Sequence, residues 1–573
     1  MPSITIDGKR CDFEQGKTIL QVANAHGIEI PQYCYHDGLS IVASCRICLA
    51  EVWAPNPRND HKLEAIPKLL PTCQTPAADG QVVYTTSPKA IANQKSVMEY
   101  LLINHPLDCP VCDQSGECFL QDYSYEYGRG VSRFEETKVK QPKKNLGRHV
   151  LLYSDRCIMC SRCVRFTREV TGTSELIVEG RGNQEEIDIF PGMALDNELS
   201  ANVIDLCPVG ALLDKDFLFT QRVWFLKSTP SIDGITSQGD NIWIEHNKGK
   251  VYRIKPRENM AVNKWWISDE IRYGYKFVHR EDRITQPLDR AFGKQQEVDW
   301  GRAYRETIGK LEGKHLAVMV SPMLTCEDAF LLVEAVRRLD EEAVFAVGPV
   351  PREGEDKAFP GGYTVRAEKA PNARGVRRVL EAMTGGAVPS YEEFLGRLDS
   401  TEFQGFVATG NYPSEWVTEE LAHAAEGKAI VLIDTLPNRL TEMAEVVLPA
   451  STWVEKAGTF ENVDNKLQAF EQAIPTIGVS RTESQIGLDL IAILDGEVTP
   501  GDVAETVRWY PEAQPGQVPE AMEVAAPIGE RFNAAMVRQK MASANLNLRA
   551  MVDEVEQVSY SSEVESDMAV VEL

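Results

Sequence analysis

The chain has 573 residues, 43% of them hydrophobic, with 85 acidic side chains against 60 basic ones and a formal charge of −25 at pH 7. That length exceeds what one hydrophobic core supports and predicts several domains. The charge excludes nucleic acid or anionic lipid as the main partner and leaves docking to other protein chains. No run of eighteen apolar residues occurs and the N-terminus lacks the layout of a secretory signal, so a cytoplasmic protein with reduced thiols and no membrane span is expected.

In chain order, Ile4 to Gly8 and Leu49 to Val52 read as strands, and Thr18 to His26 as a short helix closed by Gly27. Twelve of the thirteen cysteines precede residue 208. In a cytosolic chain that clustering reads as metal binding rather than disulfides. The first set is Cys34, Cys45, Cys48 and Cys73, a C-x10-C-x2-C core with one late cysteine. This is the general plan of a [2Fe–2S] ferredoxin, although C-x2-C also suits tetrahedral zinc. The stretch between Cys48 and Cys73 is rich in proline and charge after its first residues and reads as a surface-loop insertion, which costs little stability.

A helix is expected from about Pro88, burying Ile91, Met98, Leu101 and Leu102. Pro106 stops it and leaves His105 beside a loop holding Cys109, Cys112 and Cys118. Spacing leaves two readings of this second set open, a zinc site with one histidine and a cubane with one imidazole ligand.

The third set is Cys157, Cys160, Cys163 and Cys207, a C-x2-C-x2-C run with a remote Cys-Pro, as in bacterial [4Fe–4S] ferredoxins. The positions a second cluster would need hold Asn197, Ser200, Val203 and Thr167, so one cluster is expected. Arg46, Arg162 and Arg165 lie among the cysteines. They read equally as groups that raise a cluster's potential and as solvated loop charges. Cys11 and Cys326 read as ordinary buried thiols, with Cys326 in the first turn of a helix capped by Thr325, where its pKa would fall. His26, His36, His61 and His149 read as surface or packing residues.

Beyond about Gly301 the chain alternates strands (His315 to Val320, Val344 to Gly348, Gly405 to Gly410, Ala429 to Asp434) with helices (Cys326 to Leu339, Glu415 to Ala425). This is the pattern of a doubly wound parallel sheet. Asp553 to Leu573 carries seven acidic residues and no basic ones and reads as a disordered tail. No G-x-G-x-x-G fingerprint is present.

The three sets in this order, with HPLDCPVCDQSGECFLQD, RCIMCSRCVRF and DLCPVGALLDK, resemble the large iron–sulfur subunit of NADH:quinone oxidoreductase, respiratory complex I. That resemblance implies one [2Fe–2S] and two [4Fe–4S] clusters, with His105 a ligand of the first cubane. It also implies electron relay from an NADH-binding flavoprotein subunit to downstream iron–sulfur subunits and on to quinone, with no acid–base catalyst in this chain. The location it implies is peripheral, on the cytoplasmic side of the cell membrane. Some relatives carry a fourth motif, C-x2-C-x3-C-x27-C, whose positions here are Asp233, Thr236, Asp240 and Ser268; no fourth cluster is expected.

EVVLPASTWVEKAGTFENVDNKLQ resembles the closing part of a molybdopterin-binding domain, with Glu455, Lys456, Gly458, Thr459 and Asn462 in the matching motif. A scaffold without its cofactor is expected. The implied fold is a multidomain α/β plus α+β chain. It comprises a [2Fe–2S] ferredoxin-like β-grasp domain (1–84), a His/Cys [4Fe–4S] domain (85–145) and a [4Fe–4S] ferredoxin-like domain (146–222). A degenerate fourth-cluster subdomain (223–280), a truncated molybdopterin-oxidoreductase-like α/β domain (281–495) and a variable region (496–573) follow. The rival readings are the iron–sulfur subunit of a soluble NAD-linked formate dehydrogenase or hydrogenase, and a zinc-stabilised assembly module without redox function.

Overall fold

The computed structural model describes residues 1–502, 507–509, 522–524 and 527–558. It divides into two compact units, residues 1–226 with 358–363, and residues 227–357 with 364–573.

In the first unit, β1 (Ser3–Ile6) and β2 (Lys9–Asp12) form a hairpin. It turns at Asp7 and Gly8, both with positive φ, the pairing that a two-residue Asp-Gly turn favours. β1 pairs in parallel with β6 (Val82–Tyr84), which pairs antiparallel with β3 (Leu49–Asn56), and the short β5 (Leu70–Pro71) pairs with the start of β3. Helix α1 (Ile19–Ala25) starts on a capping box in which Thr18 and Gln21 bond each other's backbone N–H. Its Ile19, Leu20 and Val22 join Ile4, Ile6, Val52 and Val83 in one core. The insertion expected to be a loop is instead a hairpin, because β3 runs on to Asn56 and pairs with β4 (Lys62–Ala65). Turn side chains hold it, Asn56 and Asn59 each donating to Glu64 at 2.6 Å. The exposed, polar sequence hides that pairing.

Helix α2 (Pro88–Leu102) begins as expected, but its buried face is Ala90, Gln94, Val97 and Met98. Ile91 is exposed, and Leu101 and Leu102 are half-buried. Further on come α3 (Phe119–Glu126), α4 (Arg162–Glu169) and α5 (Asn202–Leu206); α5 packs on α4 and on a three-stranded antiparallel sheet of 143–145, 150–153 and 212–214.

The second unit opens with an antiparallel sheet of strands 227–232, 241–247 and 250–256. A seven-stranded sheet follows, in the order 294–297, 288–291, 446–449, 429–434, 405–409, 316–320, 344–347. Its last five strands are parallel. They fall where the apolar runs predict them, and the 446–449 strand completes the set. Each face of this sheet is covered by its own apolar cluster, one built on Phe330, Leu332 and Val333 and the other on Phe394, Leu398 and Leu421. The Cys326–Leu339 helix has the expected bounds, whereas the helix expected over 415–425 spans only Glu419–Ala424, capped by Thr418. Val537, Met541, Leu548 and Met551 add to the first cluster. Asp553 ends a helix and Glu556 bridges to Gln468; the acidic residues beyond 558 lie outside the described residues. Among the described residues no helix is long and apolar enough to cross a membrane.

Candidate metal centres

Among the described residues no cysteine is in a disulfide. The first set lies between α1, the start of β3 and the chain before β6. Cys34, Cys48 and Cys73 are buried and Cys45 is half-buried. The thiols meet in two hydrogen-bonded pairs, Cys34 with Cys45 and Cys48 with Cys73. Within each pair the thiol that accepts the bond, Cys34 or Cys48, is made more acidic by it. Their partners are pushed up by the same bond and then by burial. Ala43 and Arg46 hold left-handed backbone, which turns the N–H groups of Ser44, Cys45 and Ile47 onto the Cys34 and Cys45 sulfurs. Such a concave run of N–H groups suits an anionic group. The Thr72 hydroxyl donates to the Cys48 carbonyl at 3.0 Å and sets Cys73 beside Cys48.

In the second set, His105 follows the end of α2, Cys109 opens a one-turn helix, and Cys118 precedes α3. Burial raises Cys118 to about 12, and the fields of Cys112 and Cys109 add to it. Burial holds His105 down to about 4, helped by Arg156, so the imidazole is neutral at pH 7, the form a metal requires. Arg156 faces both His105 and Cys112 and is fixed by Asp108 at 2.9 Å. The chain after the third set closes over this loop. Arg222 donates to the carbonyls of Cys112 (2.8 Å) and Pro110, and the Phe219 N–H donates to Asp113 at 2.8 Å.

The third set lines a single cavity, with Cys157, Cys160, Cys163 and Cys207 on its wall beside Leu152 and Ile187. Left-handed Met159 and Ser161 coil the loop so that N–H groups reach the sulfurs; that of Met159 lies 3.4 Å from Cys157 Sγ. Burial pushes Cys157 to about 12 and Cys160 to about 11.

Two contacts that the cysteine spacing did not disclose join the sets. Gly210, three residues after Cys207, lies against the second set; a Cβ there would fall 2.2 Å from Cys112 Sγ. On the other side, Arg162 and Arg165 of α4 donate to the carbonyls of Tyr35 and Cys34 in the first loop. The third set is therefore in contact with both others. Of the three arginines weighed from sequence, these two are buried and Arg46 is exposed. Cys11 and Cys326 are buried. Cys326 sits in a Thr325-capped first turn as expected, but burial raises its pKa rather than lowering it. His26, His36, His61 and His149 are half-buried or exposed.

At the fourth motif Asp233, Thr236, Asp240 and Ser268 are all buried. Asp233 accepts from the N–H groups of Ile235 (2.8 Å) and Thr236 (3.2 Å) and from the Thr236 hydroxyl (2.5 Å). Ser268 caps the 269–273 helix. The donor set offers no thiolate and is turned onto its own backbone, so it does not fit an iron–sulfur cluster.

The parallel strands run in the order 2-1-3-4-5, with the switch point between 316–320 and 405–409, where such sheets take ligands. Here the space beyond the strand ends is filled. Asn411 donates to the Ser451 carbonyl (2.6 Å) and to Glu483 (2.8 Å). Lys456 pairs with Glu483 (2.6 Å) and Asp328 (2.8 Å), and Thr459 donates to Glu327. Glu455 pairs with Arg283 and Asn462 bonds the Gln238 carbonyl. The pterin-motif side chains are thus engaged inside their own unit and do not fit a bound pterin.

Family models of known proteins match the chain in successive segments. A 2Fe-2S iron-sulfur cluster binding domain model matches residues 2–88. The NADH-ubiquinone oxidoreductase-G iron-sulfur binding region matches 94–133, and the ferredoxin-like domain of NADH-quinone oxidoreductase subunit 3 matches 147–213. An NDSU1/NuoG-like 4Fe-4S domain matches the cysteine-free stretch 226–276, and molybdopterin oxidoreductase matches 395–492. The class these models describe is a chain of [2Fe–2S] and [4Fe–4S] iron–sulfur domains followed by a molybdopterin-oxidoreductase-type fold.

Curated relatives narrow it. The NADH-ubiquinone oxidoreductase 75 kDa subunit of Reclinomonas americana is 39% identical over 61% of this chain and 50% of its own. The mitochondrial NADH dehydrogenase [ubiquinone] iron-sulfur protein 1 of Solanum tuberosum is 39% identical over 60% and 46%. The mitochondrial 78 kDa subunit of NADH-ubiquinone oxidoreductase from Neurospora crassa is 44% identical over 53% and 39%. Over the length it shares with them, the chain is similar to the large iron–sulfur subunit of NADH:quinone oxidoreductase. It spans about half or less of the length of these relatives. A solved chain of an NAD+-reducing [NiFe]-hydrogenase in the H2-reduced state aligns at 28% identity over 39% of this chain and 91% of its own. Its TM-score of 0.33 is too low to carry an argument.

Proposed function

We propose that this chain is an electron relay of NADH:quinone oxidoreductase, taking electrons from the NADH-oxidising flavoprotein and passing them toward quinone. The observation that carries it is the contact of the third cysteine set with both others, through α4 on one side and Gly210 on the other. Separate structural zinc sites would not need that contiguity. In this reading Cys34, Cys45, Cys48 and Cys73 hold a [2Fe–2S] cluster in a β-grasp domain. His105, Cys109, Cys112 and Cys118 hold one [4Fe–4S] cluster, and Cys157, Cys160, Cys163 and Cys207 hold the other. No fourth cluster and no pterin are held.

The clusters supply one-electron chemistry when bound; the protein supplies position, dryness and field. Left-handed loop residues aim N–H groups at the sulfurs and tune them by hydrogen bonding. Apolar walls such as Leu152 and Ile187 keep water from the third site. Burial, helped by Arg156, keeps His105 neutral, and Arg156 places positive charge beside the second set. The partners are the flavoprotein subunit and downstream iron–sulfur subunits, and the chain sits on the cytoplasmic face of the membrane through them.

The test is iron and acid-labile sulfide analysis beside electron paramagnetic resonance of the anaerobically reduced protein. About ten iron atoms and three cluster signals are expected. Bound zinc with a silent spectrum would overturn the relay, and stoichiometric molybdenum or nickel would move the chain to a formate dehydrogenase or hydrogenase.

A further inference from the structure

Helix α4 does more than carry ligands. Cys160 precedes it and Cys163 lies in its first turn, while Arg162, Arg165 and Glu169 recur at the i, i+3, i+7 spacing of one helix face. All three grip the loop of the first set. Arg162 donates to the Tyr35 carbonyl. Arg165 donates to the carbonyls of Cys34 and Ser40. Glu169 accepts from the Ser40 N–H at 2.8 Å and its hydroxyl at 2.5 Å. The same Arg165 nitrogen that reaches Cys34 also reaches the Cys160 carbonyl, at 3.3 Å. One guanidinium thus bonds a cysteine from each of two sets.

These cations are also oddly placed for their charge. Arg162 is 7% exposed and Arg165 6%, yet among the described residues neither is in an ion pair with a carboxylate; their bonds go to neutral carbonyls and a hydroxyl. A buried cation is stable only with a compensating negative charge. What flanks them is cysteines of both sets, Cys34 of the first and Cys160 and Cys207 of the third, groups that bind metal as thiolates.

We infer that Arg162 and Arg165 are the shared counter-charge of the first and third sites. They are positioning residues that lock the two loops together and raise both reduction potentials at once. Removing one charge destabilises the reduced, more negative form at both sites and leaves the second set, which faces Arg156 instead, unmoved. The inference rests on reading the first and third sets as clusters.

The test is a redox titration of the full, anaerobically reconstituted chain, following each cluster signal in wild type, Arg165→Gln, Arg165→Lys and Ser40→Ala. In Arg165→Gln, the potentials of the [2Fe–2S] and third-set signals should both fall. The reduction equilibrium of each should drop on the order of tenfold, as for a unit charge about 10 Å away in a protein interior, or about 59 mV for one electron. Arg165→Lys keeps the charge and should recover most of both shifts. Ser40→Ala loosens the loop without altering charge and should shift neither. If Arg165→Gln does not retain iron, Arg162→Gln, which keeps the Cys34 and Cys160 carbonyls bonded, takes its place with the same expectation. Movement of one signal alone, or a lysine variant as low as the glutamine one, overturns the shared counter-charge. A wild-type protein without cluster signals fails the relay reading instead.

Discussion

The loop of Cys157 to Cys163 and the loop of Asp233 to Asp240 use the same backbone device for opposite ends. Each is a tight turn that presents N–H groups to an accepting side chain two or three residues away: Met159 to the Cys157 sulfur, Ile235 and Thr236 to the Asp233 carboxyl group. In the first, the side chains that receive those bonds converge on a cavity with three more thiols. In the second, the carboxylate is turned back onto its own turn and closed off by the Thr236 hydroxyl. What distinguishes a cluster loop from its remnant is therefore where the accepting atoms point, since both loops are hydrogen-bonded and neither is exposed. The pterin-type sheet repeats the lesson, its ligand crevice closed by Lys456, Asp328 and Glu483.

The sharpest break in that contrast comes from removing a converging ligand. Cys118→Ala should take iron from about ten to about six atoms per chain and abolish one cluster signal, read by metal analysis and electron paramagnetic resonance. Retention of all the iron would mean that the His105 set holds none.

Next comes the filled crevice. Lys456→Met leaves Asp328 and Glu483 buried without their cation, and breaking such a group costs about 3–5 kcal/mol. A denaturant melt of the second unit should show that loss, while iron content stays at the wild-type value. Loss of iron with it would contradict the reading of this network as internal filling.

How much of this was legible beforehand follows from the kind of signal each feature leaves. Cysteine spacing is a covalent pattern, so Cys34 through Cys207 could be grouped from sequence, as could the parallel strands, which are continuous apolar runs such as Leu316–Val320. The β3–β4 hairpin was not, because its register is held by Asn56, Asn59 and Glu64 at an exposed turn, where polarity mimics a loop. Ile91 was misplaced because α2 packs on Ala90 and Gln94, a face that composition ranks as less apolar. The joining contacts were harder still. Glu169 meets Ser40 across 129 residues, and Gly210 matters through the volume it lacks; neither leaves a local pattern, although the 162, 165, 169 spacing on a helix is a trace that could have been read.

The smallest effect, and the one closest to the opening contrast, concerns Asp233. Burial raises its pKa from 3.8 to about 7, so the folded state holds a proton that the unfolded chain has released. Stability from this group is then greatest below about pH 4 and is lost as pH rises toward 7, the reverse of a salt-bridged carboxylate. A shift of that size bounds the loss at about 4 kcal/mol. Asp233→Asn removes the titration but obliges the Thr236 hydroxyl to turn from donor to acceptor, so a net gain of about 1 kcal/mol is expected. It should be seen above pH 7 and turn into a loss of about 3 kcal/mol near pH 4, where wild-type Asp233 is protonated in both states and only the cost of the hydroxyl reversal remains, in melts run at both values. Iron should be unchanged in this variant and in Asp233→Ala. Loss of iron from either would mean that the turn had kept a ligand after all, and a pH-independent difference would mean that Asp233 is ionised in the fold, held by its N–H donors as firmly as a cluster loop holds its sulfurs.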